Sequence, residues 1–144
     1  MKSTIVLLAC LSILTTPTLL RADDAEDEKE IRKVYEQFLD AFNKHDAKAI
    51  AQLQDESYQV WEGGATGRAA AKKEYSTRFE TQQGLKARIL DEIGIVFVTP
   101  DVAIHKARVE VSSGESTKYL VANVFVKRDG RWFRSAVFST AIDE

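Results

Sequence analysis

Cysteine is nearly absent from this 144-residue chain. Cys10 stands alone, so no intrachain disulfide can form and the fold must be held by its core. The sequence has no basic run able to neutralise several phosphates, and Asp and Glu outnumber Lys and Arg by 22 to 20, which argues against nucleic acid as a partner. The two histidines, His45 and His105, are far apart with no carboxylate at ligand spacing, so the chain carries no metal motif. A nucleophile elbow, a phosphate-cradling glycine loop and a dinucleotide fingerprint are missing as well. These residues therefore give no support to a nicotinamide or flavin oxidoreductase, and no cofactor is expected.

Long apolar runs are also lacking. The longest, Ile5 to Leu14, falls short of the roughly 20 residues that span a bilayer. Lys2 precedes it, Thr15-Thr16-Pro17 breaks it, and Leu20-Arg21-Ala22 leads into an acidic stretch, which is the pattern of a secretory signal peptide cleaved after Ala22. The expected mature protein is exported, periplasmic or secreted, without stable membrane insertion. Leu7-Leu8-Ala9-Cys10 has the local form of a lipid attachment box. The apolar segment continues through Leu11, Ile13, Leu14, Leu19 and Leu20, where a lipoprotein would need an exposed tether, so lipidation is not expected. Cleavage would remove Lys2, Arg21 and Cys10, taking the formal net charge from −2 to −4. Roughly 120 residues remain, enough for one domain with its own core.

What the chain does contain is a helical half followed by a sheet. Residues 23–29 are acidic and poor in apolar side chains, and read as a flexible lead with Asp24 or Asp27 as candidate caps. From Glu30, apolar residues at Ile31, Val34, Tyr35, Phe38, Leu39 and Phe42 keep the helical period for more than three turns. Asn43 to Asp46 forms a corner, with Asn43 suited to the left-handed conformation, Asp46 suited to cap a second helix over 47–53, and His45 exposed. Tyr58, Val60 and Trp61 suggest a first strand ended by Gly63-Gly64, and a third helix is expected from Arg68 to about Thr81. Beyond Lys86 the period becomes two. Strands are expected over 87–98, 102–112, 118–127 and 131–141, separated by turns too short for crossover helices, so neighbours must be antiparallel.

The third long strand is apolar on both faces: Tyr119, Val121 and Phe125 alternate with Leu120, Ala122, Val124 and Val126. The helices can cover one face, and a second copy of the chain is the expected cover for the other, giving a homodimer through the sheet. On the second strand His105 shares parity with Ala103, Ala107, Val109 and Val111, the apolar side, where it could be a general base, a ligand-orienting donor or a satisfied core residue.

Three stretches carry a family resemblance: Phe42-Asn43 through Asp46-Ala47, Ile50 and Leu53; Gly67-Arg68 with Ala70; and Val126-Lys127-Arg128-Asp129-Gly130-Arg131-Trp132. Together with the element order they resemble the nuclear transport factor 2-like superfamily, the SnoaL-like or ketosteroid isomerase-like fold, and within it the SgcJ/EcaC-type bacterial branch. The resemblance implies an α+β cone-shaped barrel, three N-terminal helices packed in a strongly bent, mostly antiparallel sheet, over residues 30–144. It also implies a largely apolar pocket for a small molecule. Set against the ketosteroid isomerases of the superfamily, Glu62 falls at the position of the base, Asn123 near that of the protonated acid, and Phe38 at that of the hydroxyl donor, which it cannot replace. The catalytic candidates are thus Glu62, His105 and Asn123. Tyr35, Phe38, Tyr58, Trp61, Arg68, Tyr75 and Tyr119 are candidate ligand contacts, with Arg68 suited to an anion or to an acidic neighbour such as Glu62.

Overall fold

The computed structural model describes residues 22–59 and 66–143. Among these residues three helices, α1 (Ala22–Asn43), α2 (Ala47–Gln52) and α3 (Gly67–Thr81), precede four strands, β1 (Lys86–Thr99), β2 (Val102–Ser112), β3 (Ser116–Arg128) and β4 (Arg131–Ala141). The strands form one antiparallel sheet in the order β1-β2-β3-β4. The α+β cone expected from the sequence is the observed architecture. Among the described helices none is long and apolar enough to cross a membrane.

The core lies between the apolar stripe of α1 and the concave face of the sheet. Ile31, Tyr35, Phe38, Ala41 and Phe42 meet Tyr75 and Phe79 of α3 and Ala103, Ala107, Val109, Val121, Phe125 and Trp132 of the sheet. Residues 23–29 are no flexible lead but the first turns of α1. Asp27 is the reason: its carboxylate accepts from Lys127 Nζ at 2.6 Å and from Trp132 Nε1 at 2.9 Å, fixing the start of the helix to the β3–β4 hairpin.

The corner between α1 and α2 differs from expectation in two residues. His45, not Asn43, takes the left-handed conformation, with φ of 56°. Asn43 stays helical and spends its amide on β1, donating to the Ala87 carbonyl at 2.9 Å and accepting from the Ala87 N–H at 2.8 Å. His45 is half-buried rather than exposed, its Nε2 2.7 Å from the Leu85 carbonyl and its ring stacked 4.6 Å from Phe79. Asp46 caps α2 as expected, accepting from Ala49 N at 2.9 Å.

The expected first strand is not found in its described part. Tyr58 and Gln59 lie in a loop that makes isolated bridges, Gln54 with Arg134 and Gln59 with Thr66, while residues 60–65 lie outside the described residues. Gly67 follows with φ of 86°, donating to the Tyr58 carbonyl at 2.7 Å. A Cβ there would stand 3.0 Å from the Glu56 carbonyl oxygen, so glycine is needed both for its backbone angle and for its size.

On the convex face of the sheet, Val96, Leu120 and Phe138 are 50, 40 and 47 % exposed. This is the apolar outer side of β3 and its neighbours foreseen from the alternation.

Candidate functional site

Inside the cone the sheet carries three fully or nearly fully buried polar side chains: His105 on β2, Asn123 on β3 and Arg134 on β4. His105 and Asn123 are direct partners across β2 and β3, so their side chains leave the same face side by side. Arg134 reaches them through an irregularity. Between β3 and β4 the register slips, Phe125 pairing with Arg134 but Val124 with Ala136, which leaves Ser135 as an extra residue. A bulge of this kind bends the strand and re-aims the side chain beside it. The loop after α2 then clamps the Arg134 backbone: its N–H donates to Leu53 O at 2.9 Å and its carbonyl accepts from Asp55 N at 2.8 Å.

The guanidinium so placed donates from Nε to Asn123 Oδ1 at 2.9 Å and from Nη1 to the Tyr75 hydroxyl at 3.2 Å, and lies 4.0 Å above the Phe38 ring centroid. Burial alone would lower its pKa, but the neighbouring hydroxyls of Tyr75, Tyr58 and Tyr35 outweigh that and hold it above the ordinary value. Arg134 is a cation throughout the working pH range. All of these partners are neutral, and no described carboxylate forms an ion pair with it. An isolated buried charge costs several kcal/mol, and a cation–π contact returns on the order of 2 kcal/mol at most.

His105 forms the second part of the cluster. Its ring lies 4.5 Å from Tyr35 and edge-on to Phe125, and neither ring nitrogen has a hydrogen bond. Nε2 stands 3.6 Å from Glu92 Oε2, within ion-pair reach but beyond a direct hydrogen bond. Glu92 in turn accepts from Arg32 Nε at 2.8 Å, and Arg32 also pairs with Glu28. Burial pushes the imidazole below its ordinary pKa and Glu92 only partly restores it, so His105 is neutral near pH 7. Burial likewise raises the Tyr35 hydroxyl, against the pull of Arg134 and Asn123. Tyr58 is pushed up by burial and then by Tyr75. Around Arg134 the direct contacts at neutral pH are therefore hydroxyl, amide and ring groups, while the Glu92 carboxylate lies on the far side of His105, paired with Arg32. The Asn123 Nδ2 donor, for all its pull on the Tyr35 hydroxyl, is buried without a direct hydrogen bond, as are both polar atoms of Gln54, the residue bridged to Arg134.

Of the residues foreseen from the sequence, Tyr35, Phe38, Tyr75, His105 and Asn123 converge here, and Tyr58 is buried next to Tyr75 through their hydroxyls. Tyr119 is on the same face of β3 but four residues from Asn123, about 13 Å along the strand. Arg68 is turned elsewhere: Nε donates to Gln54 O at 2.9 Å and Nη1 pairs with Glu56 at 2.9 Å, so its acidic neighbour among the described residues is Glu56. Glu62 and Trp61 lie outside the described residues.

Two members of the cluster, Arg134 and Glu92, were not singled out from the sequence. Arg134 shares strand parity with Trp132, but Arg131 on the same strand is exposed and nothing in residue type tells the two cations apart. Glu92 had no readable signal either. Register slips at Ile89/Asp91 and Glu92/Gly94 bracket it, so strict alternation along β1 fails: Ile93 is turned out, 48 % exposed, and Glu92 is turned toward His105. Among the described residues no three His, Cys, Asp or Glu side chains converge as a metal-binding group.

The fold has many solved counterparts. A domain of unknown function with a cystatin-like fold from Nostoc punctiforme superposes with a TM-score of 0.71 at 19 % identity, covering 83 % of this chain and 79 % of that one. A type 2 hexachlorocyclohexane dehydrochlorinase gives 0.67 at 15 %, covering 84 and 92 %. A ketosteroid isomerase-like protein from Erwinia carotovora atroseptica gives 0.66 at 18 %, covering 83 and 98 %. At these identities the likeness shows a shared fold. No curated protein matches the sequence. The model of the SnoaL-like domain matches residues 35–135, from the tyrosine on α1 to the residue after the buried arginine. The chain belongs to the SnoaL-like family, within the nuclear transport factor 2-like superfamily.

Proposed function

We propose that this is an exported, homodimeric pocket protein that binds a small, mostly apolar molecule inside the cone, against Arg134, Asn123 and His105. One observation carries the reading: buried polar atoms, Asn123 Nδ2 and both nitrogens of His105, make no hydrogen bond between aromatic side chains, and only His105 Nε2 has a charged group within 4 Å, Glu92 at 3.6 Å. Buried polar groups in a folded protein are almost always paired, so a row of orphans on one concave face is the mark of a surface kept for a ligand. The signal-peptide pattern of residues 1–22 supports export, and the exposed Val96, Leu120 and Phe138 support pairing through the sheet. Native mass spectrometry of the purified protein tests the reading. Wild type is expected to carry a small molecule that Asn123→Leu loses, and a wild type that carries none and binds no steroid, polyketide or aromatic acid removes it.

A second reading is catalysis, proton transfer beside a carbonyl as an isomerase, lyase or cyclase. The neutral His105 with Glu92 3.6 Å behind it favours this. His105 would take the proton, Glu92 would steady the resulting imidazolium, and Asn123 Nδ2 would donate to the oxygen where charge develops. Glu62 is the other candidate base. Exchange of solvent deuterium into a cyclic ketone, absent in His105→Asn, is the expected sign, and no exchange by wild type would leave binding alone.

A further inference from the structure

We propose that the molecule held in the cone is a monocarboxylic acid with an apolar or aromatic body, its carboxylate seated between the outer edge of the Arg134 guanidinium and the Asn123 amide. The inference rests on reading the cone interior as a binding site and assigns its chemistry.

The guanidinium edge decides the class. Nε is used by Asn123 Oδ1 and one Nη1 hydrogen by Tyr75, whereas Nη2 makes no hydrogen bond to a described residue. Nη2 and the second Nη1 hydrogen meet no described acceptor, and together they are the kind of paired N–H donors that a carboxylate accepts bidentately. Asn123 points its Oδ1 at the same cation, and its buried Nδ2, which makes no direct hydrogen bond, acts on the Tyr35 hydroxyl and is a further donor beside the cation. A neutral ketone or alcohol would satisfy one donor and leave the buried charge as it was. A doubly charged phosphate would exchange one uncompensated charge for another. A single carboxylate cancels the charge and fills the fork. Phe38, under the guanidinium at 4.0 Å, and Tyr35, beside His105 at 4.5 Å, give the rest of the ligand an aromatic wall. The His105 nitrogens are the further hydrogen-bonding groups it can meet.

The test is calorimetric titration of the full mature chain at pH 7 with acid and amide pairs of matched shape: benzoate and benzamide, cinnamate and cinnamide, 1-naphthoate and 1-naphthamide, octanoate and octanamide. At least one acid is expected to bind about tenfold or more tighter than its amide, the worth of one charge-assisted contact. In Arg134→Met the ratio is expected to fall to about one. If that variant does not fold, Asn123→Asp serves: it places a carboxylate against Arg134 inside the protein, and the acid-to-amide affinity ratio is expected to fall to about one or below, whatever the variant does to binding of both members of a pair. Amides that bind wild type as well as acids do, or an acid-to-amide ratio undiminished in Asn123→Asp, overturn the proposal and leave the pocket reading standing. An intramolecular counter-ion, Glu62 for example, would produce that first result. Binding of no acid and no amide overturns both.

Discussion

Two buried charged groups tie the last hairpin of the sheet to the helices, and they are built on opposite principles. Asp27 is met by a cation, Lys127, and by the Trp132 indole N–H, so charge and hydrogen bonds both balance. Arg134, two residues further along the same strand as Trp132, is met by an amide, a hydroxyl and a ring face. The first arrangement holds the fold. The second leaves a charge for something else to complete. Burial and hydrogen bonding look alike at the two positions, and the sign balance separates structure from site.

The comparison is broken most strongly at Asp27. Asp27→Ala strands the Lys127 ammonium and the Trp132 N–H at the same time, and is expected to cost about 2 kcal/mol in urea unfolding, the side chains being largely but not wholly shielded from water. Ligand preference should not change, since Asp27 does not touch the polar cluster. A smaller effect is expected at His105. Its pKa is lowered in the folded protein, so the unfolded chain takes up the proton first. Stability is whole above the unfolded value of about 6.5 and declines as pH falls from there toward the lowered folded value. Urea midpoints from pH 8 to pH 5 should show this decline in wild type and a shallower one in His105→Phe. Equal slopes would mean that Glu92 keeps the folded imidazole as basic as the unfolded one.

Where the backbone follows plain rules the sequence is readable. The 3.6-residue stripe from Ile31 to Phe42, the Asp46 cap, the turns at Pro100 and Gly130 and the period-two strands place nearly every element. β2 and β3 pair without a slip from Val102–Val126 to Ser112–Ser116, which is why the inward parity of His105 and Asn123 could be read directly. The misses sit where that regularity ends. Glu92 is turned inward by two bulges, and bulges leave no sharp mark in residue type. Arg134 is re-aimed by the slip beside Ser135 and by a loop that grips its backbone, a long-range contact that no local pattern encodes. The acidic stretch at the head of α1 looks like a flexible lead because the partners that hold Asp27, Lys127 and Trp132, lie 100 and 105 residues away. His45 and Asn43 exchanged roles for a similar reason: Asn43 is more valuable pairing with Ala87 than terminating its own helix.

The central claim is that Arg134 is a cation whose counter-ion the described fold does not supply. The thermal midpoint of ligand-free Asn123→Asp at pH 7 tests it most directly. The exchange is nearly isosteric, replaces an unpartnered Nδ2 donor with an acceptor, and sets a carboxylate at the Arg134 Nε. The account predicts a midpoint above that of wild type, as a buried charge gains its missing partner. A midpoint below wild type would mean that Arg134 is already balanced and would contradict it.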